Sequence, residues 1–99
     1  MNINKNFRQY VWKCLSTLLY TLEVEILFST VKELVGTKGK IVNETSKTLI
    51  IQTHRKTIKV PKKTSIFLIT LPDGNNIRVN GTILVGRPEQ RLKKQPKFW

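Results

Sequence analysis

A mainly β chain, closed into one small antiparallel barrel with helix only at its two ends, is what this sequence predicts. Three observations carry that expectation. Apolar and polar residues alternate in short runs from Leu22 onward, the period of a half-buried strand. Turn-forming residues separate the runs at short intervals, with no helix-period stretch among them. Gly36 and Gly39 fall where a side chain would obstruct a sharply bent strand.

The elements follow in order. Phe7, Val11, Leu15, Leu18 and Leu22 recur at steps of three and four, with Cys14 and Leu19 beside them and Lys5, Gln9, Lys13, Ser16 and Thr17 opposite. That spacing predicts an amphipathic helix over residues 5–20. Leu22-Glu23-Val24-Glu25-Ile26 is a strand with an acidic face. Gly39–Asn43 and Thr48–Thr53 flank the turn Glu44-Thr45-Ser46-Lys47, and Thr57–Val60 is a short fourth strand ended by Pro61, which has no N–H for a ladder. Ile66–Leu71 is almost wholly apolar and is expected to run through the centre of the sheet. Pro72-Asp73-Gly74-Asn75 is a turn, Asn76–Asn80 alternates with Ile77 and Val79 inward, and Thr82–Val85 completes a set of seven. Leu49, Ile51, Ile58, Val60, Phe67, Ile69, Ile77 and Val79 are the expected core. Arg87-Pro88-Glu89 opens a short basic helix, with proline in the first turn and a carboxylate near the positive end of the dipole. The chain thus divides into an N-terminal helical extension at residues 1–21, a barrel at 22–86, and a basic helix and tail at 87–99.

With 99 residues there is room for one modest core. The 18 Lys and Arg against 6 Asp and Glu give a net charge of +12, a self-repulsion that an anionic partner relieves, and nucleic acid is the commonest such partner. One cysteine excludes an internal disulfide and a cysteine-rich zinc site. The opening MNINKNFRQ lacks the apolar core of a signal peptide, and charge interrupts every apolar run before membrane-spanning length, so a soluble cytoplasmic protein is expected.

Catalytic chemistry is thinly supplied. His54, the single histidine, sits in a turn beside Arg55 and Lys56 with no carboxylate near it in sequence, and reads as an exposed turn residue. Cys14 reads as a small buried hydrophobe. Glu23 and Glu25 share a strand face and have the spacing to hold Mg²⁺, but a polar face countering lysines on a neighbouring strand accounts for them better. No phosphate-binding loop is present, and no catalytic, metal or cofactor site is expected.

The cations form a better constellation. Lys38, Lys40, Lys47, Arg55, Lys56, Lys59, Lys62 and Lys63 stand against Glu44 alone, a clustering suited to a phosphate backbone. Arg78 on the sixth strand and Arg87, Arg91, Lys93 and Lys94 beyond the barrel extend the candidate RNA-binding set. Aromatic residues lie outside this cluster, which favours shape and backbone reading of folded RNA over base stacking. The apolar stripe of the N-terminal helix (Phe7, Val11, Leu15, Leu18, Leu19 and Leu22) is wider than a closed barrel would cover, so a protein partner is expected on it.

Leu34-Val35-Gly36, Gly39-Lys40-Ile41-Val42, Glu44-Thr45, Thr48-Leu49, Leu71-Pro72-Asp73-Gly74, Gly81 and Gly86-Arg87-Pro88-Glu89 with Arg91 form an order that resembles the archaeal ribonuclease P protein component one, over about residues 20–94. The resemblance implies a Sm-like, SH3-like barrel with helical ends. It also implies a non-catalytic subunit of the ribonucleoprotein that removes 5′ leaders from precursor tRNA. Ribonuclease P RNA would be the catalyst, and a zinc-ribbon ribonuclease P subunit the direct protein partner, among other ribonuclease P proteins. Lys38, Lys40, Arg87 and Arg91 match basic family positions and would lead the RNA contacts. One departure is local: where the family opens its first strand with an Ile-Gly-Leu-like step, this chain has Tyr20-Thr21-Leu22. A stand-alone Sm-like RNA-binding protein and a small basic chromatin protein share the composition, and would differ in forming a ring or binding duplex DNA.

Overall fold

The computed structural model describes residues 5–17 and 19–86, with side chains from residue 9 in the first helix and not for its last two residues. Helix α1 (Lys5–Thr17) is followed by strands β1 (Glu23–Ser29), β2 (Lys38–Glu44), β3 (Thr48–Gln52), β4 (Thr57–Pro61), β5 (Ser65–Thr70) and β6 (Asn76–Asn80). Single 3₁₀ turns lie at Lys32–Leu34 and Gly81–Leu84. All strand pairs are antiparallel, in the order β4-β3-β2-β1-β5-β6.

The mainly β class and the antiparallel pairing agree with the sequence, but ladder closure does not occur among the described residues. β4 and β6 are the two edges, and the sheet stays open between them. Thr82–Val85 is not a seventh strand: Asn80 caps the turn there, its Oδ1 accepting from Thr82 N–H at 3.1 Å, and a strand at that point becomes 3₁₀. β5 is paired on both sides yet sits second from an edge, while β2 and β1 hold the centre.

Single backbone hydrogen bonds and close packing replace the missing ladder. The chain leaving β6 reaches the segment that follows β4, where Gly81 packs so tightly on the Lys62 carbonyl that any Cβ would clash with it. Gly86 N–H then donates to Ser46 C=O at 2.8 Å, and Lys62 N–H to Lys47 C=O at 2.8 Å. Gly39 serves a similar need inside the sheet, since its Cβ would collide with the Gln52 carbonyl on β3.

One core joins helix and sheet. Ile41, Leu49, Ile51, Val60, Phe67, Ile69 and Val79 are buried in it, as the alternation predicts, with Ile58 and Ile77 half-buried at its margin. Val11, Trp12, Cys14, Leu15, Leu19 and Leu22 are buried in the same cluster. This corrects the expectation of a partner covering the stripe: Val11, Leu15, Leu19 and Leu22 pack within the chain, because an open sheet leaves core for the helix to cover. Phe7's side chain and Leu18 lie outside the described residues. Cys14 is the small buried hydrophobe expected, and burial pushes its thiol above the ordinary value.

Two β-bulges alter which residues face in. Register shifts between Ile26 and Phe28 and between Ile41 and Asn43. In β2 the bulge lets Ile41 and Glu44 both face inward, whereas strict alternation would turn one of them out.

The departure at Tyr20-Thr21-Leu22 has a conformational cost. Thr21 has φ +73°, the one non-glycine residue with positive φ among those described, and its N–H is held by Ile41 C=O at 2.7 Å. A β-branched residue there is strained, and the glycine of the family step would relieve it. Thr21→Gly is therefore expected to stabilise the fold by about 1 kcal/mol, raising the melting temperature by roughly 4–8 °C. Calorimetry reads this directly, and a lower melting temperature would refute the strain.

Candidate nucleic-acid interface

Two hairpin turns of the same build present Lys47, Arg55 and Lys56 to solvent. In the β2–β3 turn, Thr45 Oγ1 accepts from Thr48 N–H at 3.0 Å and Lys47 N–H at 3.4 Å, while Thr45 N–H donates to Thr48 C=O at 2.9 Å. In the β3–β4 turn, Thr53 Oγ1 accepts from Lys56 N–H at 3.0 Å and Arg55 N–H at 3.2 Å. A threonine opening each turn satisfies the local amides and points the next residues outward. Lys47 is thereby exposed at one end of β3, and His54, Arg55 and Lys56 at the other.

β4 adds to them. As an edge strand it carries Lys59 on its outer face, opposite Ile50 of β3, and Lys63 is exposed just beyond its end. Lys47, Arg55, Lys56, Lys59 and Lys63 thus border one hairpin, and no Asp or Glu occurs anywhere between Thr45 and Pro72. An edge lined by lysine also resists pairing with another sheet.

Lys38 and Lys40 differ. The β1–β2 register sets Glu25 opposite Lys38 and Glu23 opposite Lys40. This is the polar face countering lysines that the sequence suggests for the two glutamates, and it lowers the positive potential offered at β2. An open groove of about 640 Å³ runs over this face, with Glu23, Glu25, Lys38, Lys40, His54 and Asn76 among its lining. Among the described residues no hydrogen bond or ion pair joins His54 to either glutamate, and no cluster of metal-ligating side chains forms. Arg78 is exposed on β6, across Leu68 from Glu25. Arg87, Arg91, Lys93 and Lys94 lie outside the described residues.

Lys62 requires correction. The sequence places it in the RNA-binding set, but it is fully buried, and its Nζ donates to Glu44 Oε1 at 2.7 Å. The same ammonium donates to the carbonyls of Thr45 at 2.7 Å, Ser46 at 3.4 Å and Gly86 at 2.9 Å. A charge so enclosed and paired contacts no phosphate. One signal in the sequence pointed there: Glu44 is a lone carboxylate amid eight cations, and it is the partner of one of them.

What fold and surface define is a small basic antiparallel β domain with an array of cations on one hairpin and the Lys62–Glu44 ion pair sealed inside. Comparison with known proteins narrows that class. The profile of the family described as Ribonuclease P/MRP, subunit p29, matches residues 13–94, and the chain belongs to that family. It is 42% identical over 81 residues to ribonuclease P protein component 1 of Methanocaldococcus jannaschii, covering 81% of this chain and 84% of that one. Against the same component of Methanococcus aeolicus it is 46% identical over 81 residues, covering 80% and 83%. Among solved structures, Mth11, titled a homologue of the human RNase P protein Rpp29, superposes with a TM-score of 0.56 at 36% identity, over 74% of this chain and 95% of Mth11.

Proposed function

We propose that this chain is an RNA-binding protein subunit of ribonuclease P that supports the catalytic RNA in removing 5′ leaders from precursor tRNA in the cytoplasm. Family membership carries the reading, and the chain works with the other ribonuclease P components and their RNA. A zinc-ribbon ribonuclease P subunit is the direct protein partner that the resemblance implies. With Val11, Leu15, Leu19 and Leu22 buried inside the chain, that partner docks elsewhere than on this part of the stripe. The chain performs no cleavage itself: its one histidine sits in a turn among cations, Glu23 and Glu25 serve a cross-strand face, Asp73 a turn and Glu44 a buried pair.

The β3–β4 hairpin is the principal phosphate-binding surface in this reading, with Lys38, Lys40 and Arg78 contributing less and the segment from Arg87 extending it. Neutralising about six phosphates gives a log–log salt slope of roughly −4 to −5. Replacing Lys47, Arg55, Lys56, Lys59 and Lys63 with glutamine should flatten that slope by about 3.5 to 4.5, at about 0.7–0.9 per contact. Replacing Lys38 and Lys40 should flatten it by less than 2. Filter binding to transcribed ribonuclease P RNA of an archaeal relative, from low to moderate salt, measures both. Equal slopes for the parent and the five-residue variant would remove the hairpin from the interface.

A further inference from the structure

The Lys62 ammonium lies at a junction of three chain segments that the strand ladders leave unconnected. It projects from the segment after β4, bonds Glu44, Thr45 and Ser46 at the end of β2 and its turn, and bonds Gly86 where the described chain ends. Gly86 is held twice, by its carbonyl on Lys62 Nζ and by its N–H on Ser46 C=O. Both neighbours of the junction carry exposed cations: Lys47 follows Ser46, and Lys63 follows Lys62. The chain continues from Gly86 directly into Arg87.

We propose that Lys62 is a positioning residue for RNA binding: its buried charge clamps the Lys47 turn, the Lys63 turn and Gly86 into one fixed array, without touching RNA. The inference rests on the RNA-binding reading and deepens it. Folding alone does not call for a charge at this point, since a buried ion pair is commonly replaceable by apolar residues of similar volume at little cost. An apolar pair cannot, however, donate to the carbonyls of Thr45, Ser46 and Gly86 at once. The ammonium's reach to several acceptors makes lysine fit, because it offers three donors from one point.

The test is the double variant Glu44→Leu/Lys62→Met. It removes one negative and one positive charge, so net charge is unchanged, and neither side chain is exposed to meet a phosphate. The full chain carrying both substitutions is expected to stay folded, with the same circular dichroism, and to melt well above Lys62→Met alone, since no unpaired charge is left buried. Its affinity for transcribed archaeal ribonuclease P RNA should fall at least tenfold, and its salt slope should flatten by about 1 to 2. A flatter slope in a charge-neutral variant means that cations elsewhere have lost their phosphates, an outcome that a purely structural role would not produce. A folded double variant with parental affinity and slope overturns the proposal. So does a double variant that fails to fold, because the pair would then be a requirement of the fold itself. Failure of the underlying reading looks different: the parent chain would bind this RNA without salt dependence.

Discussion

Lys62→Met alone melts on the order of 20 °C below the parent chain, the steepest loss that any single lysine here should cause. The substitution keeps the length of the side chain and removes the ammonium that pairs with Glu44 at 2.7 Å. Glu44's side chain is 1% exposed, so its carboxylate cannot turn to water, and three carbonyls lose a donor with it. Breaking a buried pair by deleting one partner costs about 3–5 kcal/mol, a large share of the roughly 5–15 kcal/mol that holds a typical domain together. Lys63→Met is the control one residue away. Its side chain is exposed, and the change should stay within about 0.5 kcal/mol. Thermal melts of the two variants side by side separate burial from mere loss of charge. Equal melting temperatures would mean that the enclosed geometry contributes nothing.

The contrast between these adjacent lysines also marks where reading the sequence stops. Period-two alternation identified the strand regions and core residues such as Leu49, Ile51, Phe67 and Ile69, because a residue's face in a strand depends on its immediate neighbours. The Glu23 and Glu25 face was legible for the same reason, and the register confirms lysines opposite both. Lys62 was legible only as one of eight cations that Glu44 could pair with. Lys-Lys after proline looks the same in either orientation, and which one turns in depends on a carboxylate brought inward by the β2 bulge. A bulge is one extra residue with no compositional mark, so parity beyond it is lost: Glu44 reads as a turn residue and is found inside. Closure failed to show for a related reason. Alternation reports that strands exist, but whether the last meets the first depends on twist and stagger summed around the sheet. Assuming closure then assigned the helix stripe to a partner, when the open sheet had room for it.

The largest effect expected of all follows from that last correction: Leu15→Asp should abolish the folded state. Leu15 is fully buried in the last turn of α1, in one cluster with Ile26, Ile41, Phe67 and Leu84 from the sheet and its closing turn. Removing the leucine forfeits about 2–5 kcal/mol, as truncation to alanine would. Aspartate adds the desolvation of a polar or charged group that has no partner there, several kcal/mol more. The sum reaches the whole stability of a domain this size. Leu15→Ala should remain folded at low temperature with a depressed melting point, and Gln9→Asp, on the exposed side of the helix, should be near neutral. Dispersion of amide signals in a proton–nitrogen spectrum distinguishes the three variants. A Leu15→Asp chain that keeps its dispersed strand signals and loses only its affinity for a protein partner would mean that α1 detaches from the sheet freely. The helix and sheet share one core, and with Leu15 fully buried in it they are expected to unfold together.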